Sequence, residues 1–228
     1  MLYQFIYIFL VSRGLQELIT INYDKHIMTN IILRSYHSLG CIYYLTPLLL
    51  KMEKPLNEIE TSRVPSDIEF VLKRSAQFFI WDIYSLSLSN EKNKMLYTLH
   101  HLISSGTIMY SLHYGINWYF VSLGLFLGEI TNPITQVCAI CEVLNYYNIS
   151  FERFYFMCML FVRGVIGPCL TLIMTYQIGY LCSIHGKEVL YNKSIILNYI
   201  TLISITLGSI DWLNGKYKEI TFSGIKDK

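Results

Sequence analysis

Charged side chains are scarce in this chain: 15% of its 228 residues are Asp, Glu, Lys or Arg, against 53% hydrophobic, and the mean hydropathy is +0.39. A soluble domain of that length needs more polar surface, so the composition excludes an ordinary water-facing globule and points to a protein embedded in a bilayer. Charge of one sign is lacking too. Lys and Arg number 18 and Asp and Glu 16, a net +2 with no basic run, which removes nucleic acid from the expected partners. Cysteine is sparse, at 41, 138, 141, 158, 169 and 182, and each lies within or at the end of an apolar run. The pair Cys138 and Cys141 has no second ligand pair at finger-like spacing, so small buried hydrophobes are expected here, with no metal and no redox cofactor. The N-terminal run L-Y-Q-F-I-Y-I-F-L-V lacks a basic stretch before it and a small-x-small cleavage site. A retained first span is therefore expected rather than a removed signal peptide.

What the chain does have is long apolar runs. At about 20 residues per crossing they predict an all-α, multipass transmembrane helical bundle of about seven spans. The predicted spans are 2 to 21, 27 to 50, 68 to 88, 97 to 114, 117 to 144, 153 to 182 and 194 to 213. The one long polar connection, K-M-E-K-P-L-N-E-I-E-T-S-R-V-P-S-D, carries Pro55 and Pro65 and predicts a surface loop between the second and third. The 19 Tyr and 3 Trp suit the two membrane interfaces, where an apolar body with a wet tip is favoured.

Ionisable residues inside such runs are expensive, and they mark functional sites or bundle interiors. The second span holds Arg34 and His37, three apart and so on one face, the third Asp82, the fourth His100 and His101, the fifth Glu129 and the sixth Arg163. Interhelical pairing among them is expected, because a buried charge without a partner costs far more than a paired one. Arg34, near a span end, is expected to snorkel toward the interface. Proline sharpens two of the sites. Pro133 cannot donate to the carbonyl of Glu129, and Pro168 likewise frees that of Gly164, one residue after Arg163. Two broken helices are predicted, one beside an anion and one beside a cation, with Arg163 the expected partner of Glu129.

At these residues the chain resembles the TLC-domain family, the membrane domain of ceramide synthases, a translocon-associated protein and several lipid-homeostasis proteins. The matching pieces are R-S-Y-H-S (34 to 38), F-F-I-W-D-I (78 to 83), L-H-H-L-I (99 to 103), G-E-I-T-N-P (128 to 133) and F-V-R-G-V-I-G-P (161 to 168). The resemblance implies an N-terminal helix over 1–27, a six-helix TLC-like domain over 28–215 and a short basic tail over 216–228. It makes His37, Asp82, Glu129, Asn132, Pro133 and Arg163 the candidates for a lipid site or polar network. It also implies a multi-pass protein of the endoplasmic reticulum or another endomembrane.

Ceramide synthases are similar in having the His pair but follow it with two aspartates. The corresponding positions here are Ile108 and Ser111. The chain is therefore closer to the branch implicated in membrane lipid homeostasis, and the first expectation is a lipid-binding protein of that kind, with a membrane lipid as partner and room for a homo-oligomer or membrane-protein partner. The alternative is an acyl-CoA-dependent N-acyltransferase with His100 or His101 as base or acyl acceptor. Acyl-CoA would then be a co-substrate, and Asp82 is the only nearby carboxylate able to orient a histidine.

Overall fold

A backbone in hydrocarbon must satisfy its own polar groups, and helices do this within one segment. In the computed structural model every regular element among the described residues is helical. These residues are 6, 25–50, 64–88, 94–115, 118–144, 146 and 149–185, with scattered positions between 200 and 218. Apart from Ile6, the expected first span falls outside them, as do most of the seventh and the long polar loop. Among the described residues two helical runs are long and apolar enough to cross a bilayer, Trp118–Val143 (26 residues) and Ile149–Ile173 (25 residues).

The chain divides into two compact units, Met1–Asn145 and Tyr146–Lys228. In the first, helices α1 (Lys25–Leu50), α2 (Ser66–Ser87), α3 (Lys94–Tyr114), α4 (Trp118–Glu129) and α5 (Asn132–Val143) surround a core built from Leu33, Leu45, Leu72, Phe78, Trp81, Ile108 and Leu125. Helix α1 touches α2, α4 and α5, and α2 packs along α3. The central place of α1 follows from its sequence: Leu33, His37, Ser38, Cys41 and Leu45 recur at helical spacing and are all buried.

Local chemistry sets the ends. Asp67 and Glu69 lie in the first turn of α2, where carboxylates offset the positive end of the helix, and the Glu69 amide donates to the Pro65 carbonyl at 2.8 Å. Helix α3 stops at Gly115, whose φ of 67° lies in the left-handed region open to glycine, and its amide reaches back to the Ser111 carbonyl at 2.9 Å. The predicted break at Pro133 is present. The last amide of α4 is that of Ile130, bonded to Phe126 O at 2.8 Å; Thr131 turns the chain, and α5 begins with Pro133 in its first turn, where no donor is needed.

The second unit contains α6 (Ile149–Met159), a π-helix (Leu160–Ile166) and α7 (Gly167–His185). Here the missing amide of Pro168 has a different outcome from that at Pro133. The chain widens its turn, so that the Gly167 amide bonds Val162 O, five residues back, and the helix continues. Among the described residues of this unit Tyr155, Met159, Ser209 and Leu213 are buried, and Thr171 bonds Thr206 at 3.1 Å. A methyl group on Gly164 would lie 3.1 Å from Leu160 and 3.2 Å from Leu213, so this position is closely packed.

Candidate functional site

The polar residues of the first unit meet along α1. Asn30, Arg34, His37 with Ser38, and Cys41 form one stripe at helical spacing, and each engages a neighbouring helix or another member of the stripe. At one end, Ser85 Oγ donates to Asn30 Oδ1 at 3.0 Å. Next, Arg34 grips Asp82, with Nε 3.1 Å and Nη2 3.0 Å from Oδ1, and Nη2 3.4 Å from Oδ2. A guanidinium fork on a carboxylate is among the strongest polar contacts available, and Asp82 is buried. Arg34, expected to snorkel, remains half-buried and pairs with the buried Asp82, because α2 brings that carboxylate alongside it.

His101 approaches the same carboxylate from α3. Its Nδ1 lies 3.2 Å from Asp82 Oδ2, at ion-pair distance but off the line of a hydrogen bond. Phe79 packs on the His101 ring, with centroids 5.0 Å apart, and the His100 ring lies 5.4 Å away. Adjacent helical positions point in different directions, and it is His101 that meets Asp82.

His37 stands midway along the stripe. Its ring stacks on Phe78 at 3.9 Å, within 11° of parallel, and Phe79 meets it edge-on at 5.9 Å. Nε2 lies 3.5 Å from Cys41 Sγ and 3.7 Å from Glu129 Oε1. Cys41 also contacts Ser75 Oγ at 3.5 Å. Cys41 Sγ also lies 3.9 Å from Nδ1, so the thiol borders both ring nitrogens while the carboxylate faces Nε2.

Glu129 ends α4 with its carboxylate nearly sealed, at 6% side-chain exposure. Oε2 accepts from Ser38 Oγ at 2.6 Å and from Asn132 Nδ2 at 2.9 Å. Proline therefore acts twice: Pro133 interrupts the helix, and the resulting turn aims Asn132 back at the carboxylate three residues before it. Within this unit a hydroxyl and an amide donate to the carboxylate. Arg163 lies in the π-helix of the second unit.

Sequence reasoning brought His37, Asp82, His101, Glu129, Asn132 and Pro133 to the page, and all six lie in or beside this polar layer. It missed Ser38, Cys41, Ser75 and Arg74, the last with its guanidinium 4.2 Å over the Tyr36 ring. The spacing of Arg34, Ser38 and Cys41 was the available signal. Serine and cysteine, however, are common buried residues and do not announce a polar role.

A comparison with protein families matches the TLC domain over residues 28–213. The chain belongs to the TLC-domain family. It is accordingly a membrane-embedded helical protein. Comparison with curated proteins and with solved structures returned no match. Within this TLC domain four of the five motif pieces build the polar layer: the Arg34 to Ser38 piece lies on the stripe, Arg34 and the His101 piece both meet Asp82, and G-E-I-T-N-P forms the break, while F-V-R-G-V-I-G-P lies in the second unit.

Proposed function

We propose that this TLC-domain protein is a multi-pass endomembrane protein, of the endoplasmic reticulum or a related compartment, that binds a lipid or acyl chain between its helices and acts in membrane lipid homeostasis or trafficking. The observation that carries this reading lies on α3. The two positions that correspond to the synthase aspartates are Ile108, 3% exposed and part of the apolar core, and Ser111, 1% exposed. A carboxylate at position 108 would be buried in the apolar core, and one at position 111 would be buried as well. The polar layer supports the same reading, since Asp82 and Glu129 hold helices together.

A second reading, an acyl-CoA-dependent N-acyltransferase, is favoured by one proximity. Asp82 Oδ2 lies 3.2 Å from Nδ1 of His101 but off the hydrogen-bond line, so a rotation of the ring would be needed for the carboxylate to orient the imidazole and leave Nε2 for proton transfer. Lipid mass spectrometry on cells expressing the wild type or His100→Ala/His101→Ala, together with an acyl-CoA and sphingoid-base assay on purified protein, separates the two. Homeostasis predicts altered phospholipid composition with no N-acylated product. Product formed by the wild type and abolished in His101→Ala would replace it with the enzyme.

A further inference from the structure

Helix α1 carries two side chains that α2 holds by one edge and leaves open at the other. Arg34 spends Nε and Nη2 on Asp82, at 3.0 to 3.4 Å. A guanidinium carries donors on all three nitrogens, so this side-on grip leaves the edge at Nη1 unspent. Among the described residues no group meets that edge, and 33% of the side chain is exposed. Asn30 is half-buried and is held through Oδ1, which accepts from Ser85 Oγ at 3.0 Å. Its Nδ2 has no partner among the described residues. Positions 30 and 34 are neighbours on one face of the helix, so the two open donors lie side by side, each already oriented by a residue of α2.

The level of this seat follows from the spans. Asn30 lies three residues and Arg34 seven residues inside the predicted span 27 to 50, about 5 and 10 Å at 1.5 Å per residue. On α2, Ser85 and Asp82 lie three and six residues before residue 88, the end of its span, so the two helices agree. In a hydrocarbon core about 30 Å thick the seat occupies the outer third on one side. N–H donors at that depth are costly without an acceptor.

Two acceptor-rich groups of a lipid come near this level, the phosphate of the head and the carbonyl that joins an acyl chain to it. Phosphate fits poorly, because Asp82 already balances Arg34 and a second anion would go uncompensated, and because headgroups lie outside the hydrocarbon core. A carbonyl is neutral, asks only for donors, and sits where head gives way to chain. We propose that the Arg34 and Asn30 seat binds the acyl carbonyl of a membrane lipid, the oxygen of an ester or amide linkage. The site rests on the lipid-binding function above and names the group of the lipid that is recognised.

The test uses the full chain in nanodiscs of diether phosphatidylcholine carrying small, equal fractions of diester phosphatidylcholine and sphingomyelin. The headgroup is then phosphocholine throughout, while the chain linkage is an ether, an ester or an amide. Native mass spectrometry reads which lipids stay bound. Carbonyl-bearing lipids should be enriched about tenfold over the disc composition, the size of one charge-assisted hydrogen bond. Enrichment of the ester lipid, the amide lipid or both supports the seat and identifies the linkage; retention in proportion to the disc composition overturns it. Arg34→Lys keeps a cation for Asp82 but has no second edge, so it should abolish the enrichment. Asn30→Ala should lower it about threefold, the loss of one neutral donor, and it carries the test if Arg34→Lys melts early. Unchanged enrichment in a folded Arg34→Lys or in Asn30→Ala overturns the seat. His101→Ala should leave the enrichment intact, since Nδ1 makes no hydrogen bond, and loss there would move the carbonyl to the imidazole and refute the seat. Carbonyl enrichment with no effect of expression on cellular lipid composition would remove the homeostasis function and leave the seat standing. Altered composition without enrichment would do the reverse.

Discussion

The two buried carboxylates of the first unit are held in opposite ways. Asp82 faces a full cation, Arg34, with His101 beside it. Glu129 is held by a hydroxyl, an amide and, at 3.7 Å, an imidazole nitrogen. Asp82 is thus tied to a guanidinium, while two of the contacts to Glu129 are hydrogen bonds from neutral donors. The first arrangement locks α1 to α2. The second ties α1 to a break between α4 and α5, where the backbone has already given up a hydrogen bond. A guanidinium pair and a set of neutral donors therefore sit one turn apart on one helical stripe.

The largest effect should come from Arg34→Met, which leaves the buried Asp82 uncompensated. It is expected to cost about 3 kcal/mol, the low end for a broken buried pair because the Arg34 side chain is 33% exposed. Adding Asp82→Leu should recover much of that loss when both variants are melted in detergent, and strictly additive losses would break the contrast between the two ends. Ser38→Ala removes one neutral donor from Glu129 and is expected to cost about 1 kcal/mol in the same melts. Glu129→Gln should be the mildest, under about 1 kcal/mol, since one amide oxygen can still accept from both Ser38 and Asn132. A loss in Glu129→Gln equal to that in Arg34→Met would mean that Glu129 too is held by charge.

Much of this fold was legible before any coordinates. Apolar run length located α1, α2 and α3 to within a few residues, and Pro133 located the break, since a proline deletes a specific hydrogen bond wherever it sits. The partners were less legible. Residue type says that Glu129 needs donors, but which ones arrive depends on how each helix is rotated about its axis and on which elements cross. Matching anion to cation suggests Arg163 but says nothing of the serine one turn along from Arg34 and the asparagine in the turn itself, both of which reach the carboxylate. Arg34 was misjudged for the same reason: distance from a span end does not reveal the carboxylate on the next helix. At Pro168 the sequence specifies the lost bond but not the remedy, and a turn and a widened helix are both open to the backbone.

That widened helix has a consequence for insertions and deletions. Over its seven residues, Leu160–Ile166, each turn holds more chain than an α-helix would, so the segment carries roughly one surplus residue. Deleting Val165 should let the stretch relax toward ordinary α-helix while α6 and α7 keep their faces. A deletion within α7, such as Thr175, would turn every later side chain by about 100° and misdirect it. Expression and melting of the two deletions should therefore diverge, with the first tolerated and the second not. A helix that stores an extra residue in this way can absorb a change in length that its neighbours cannot.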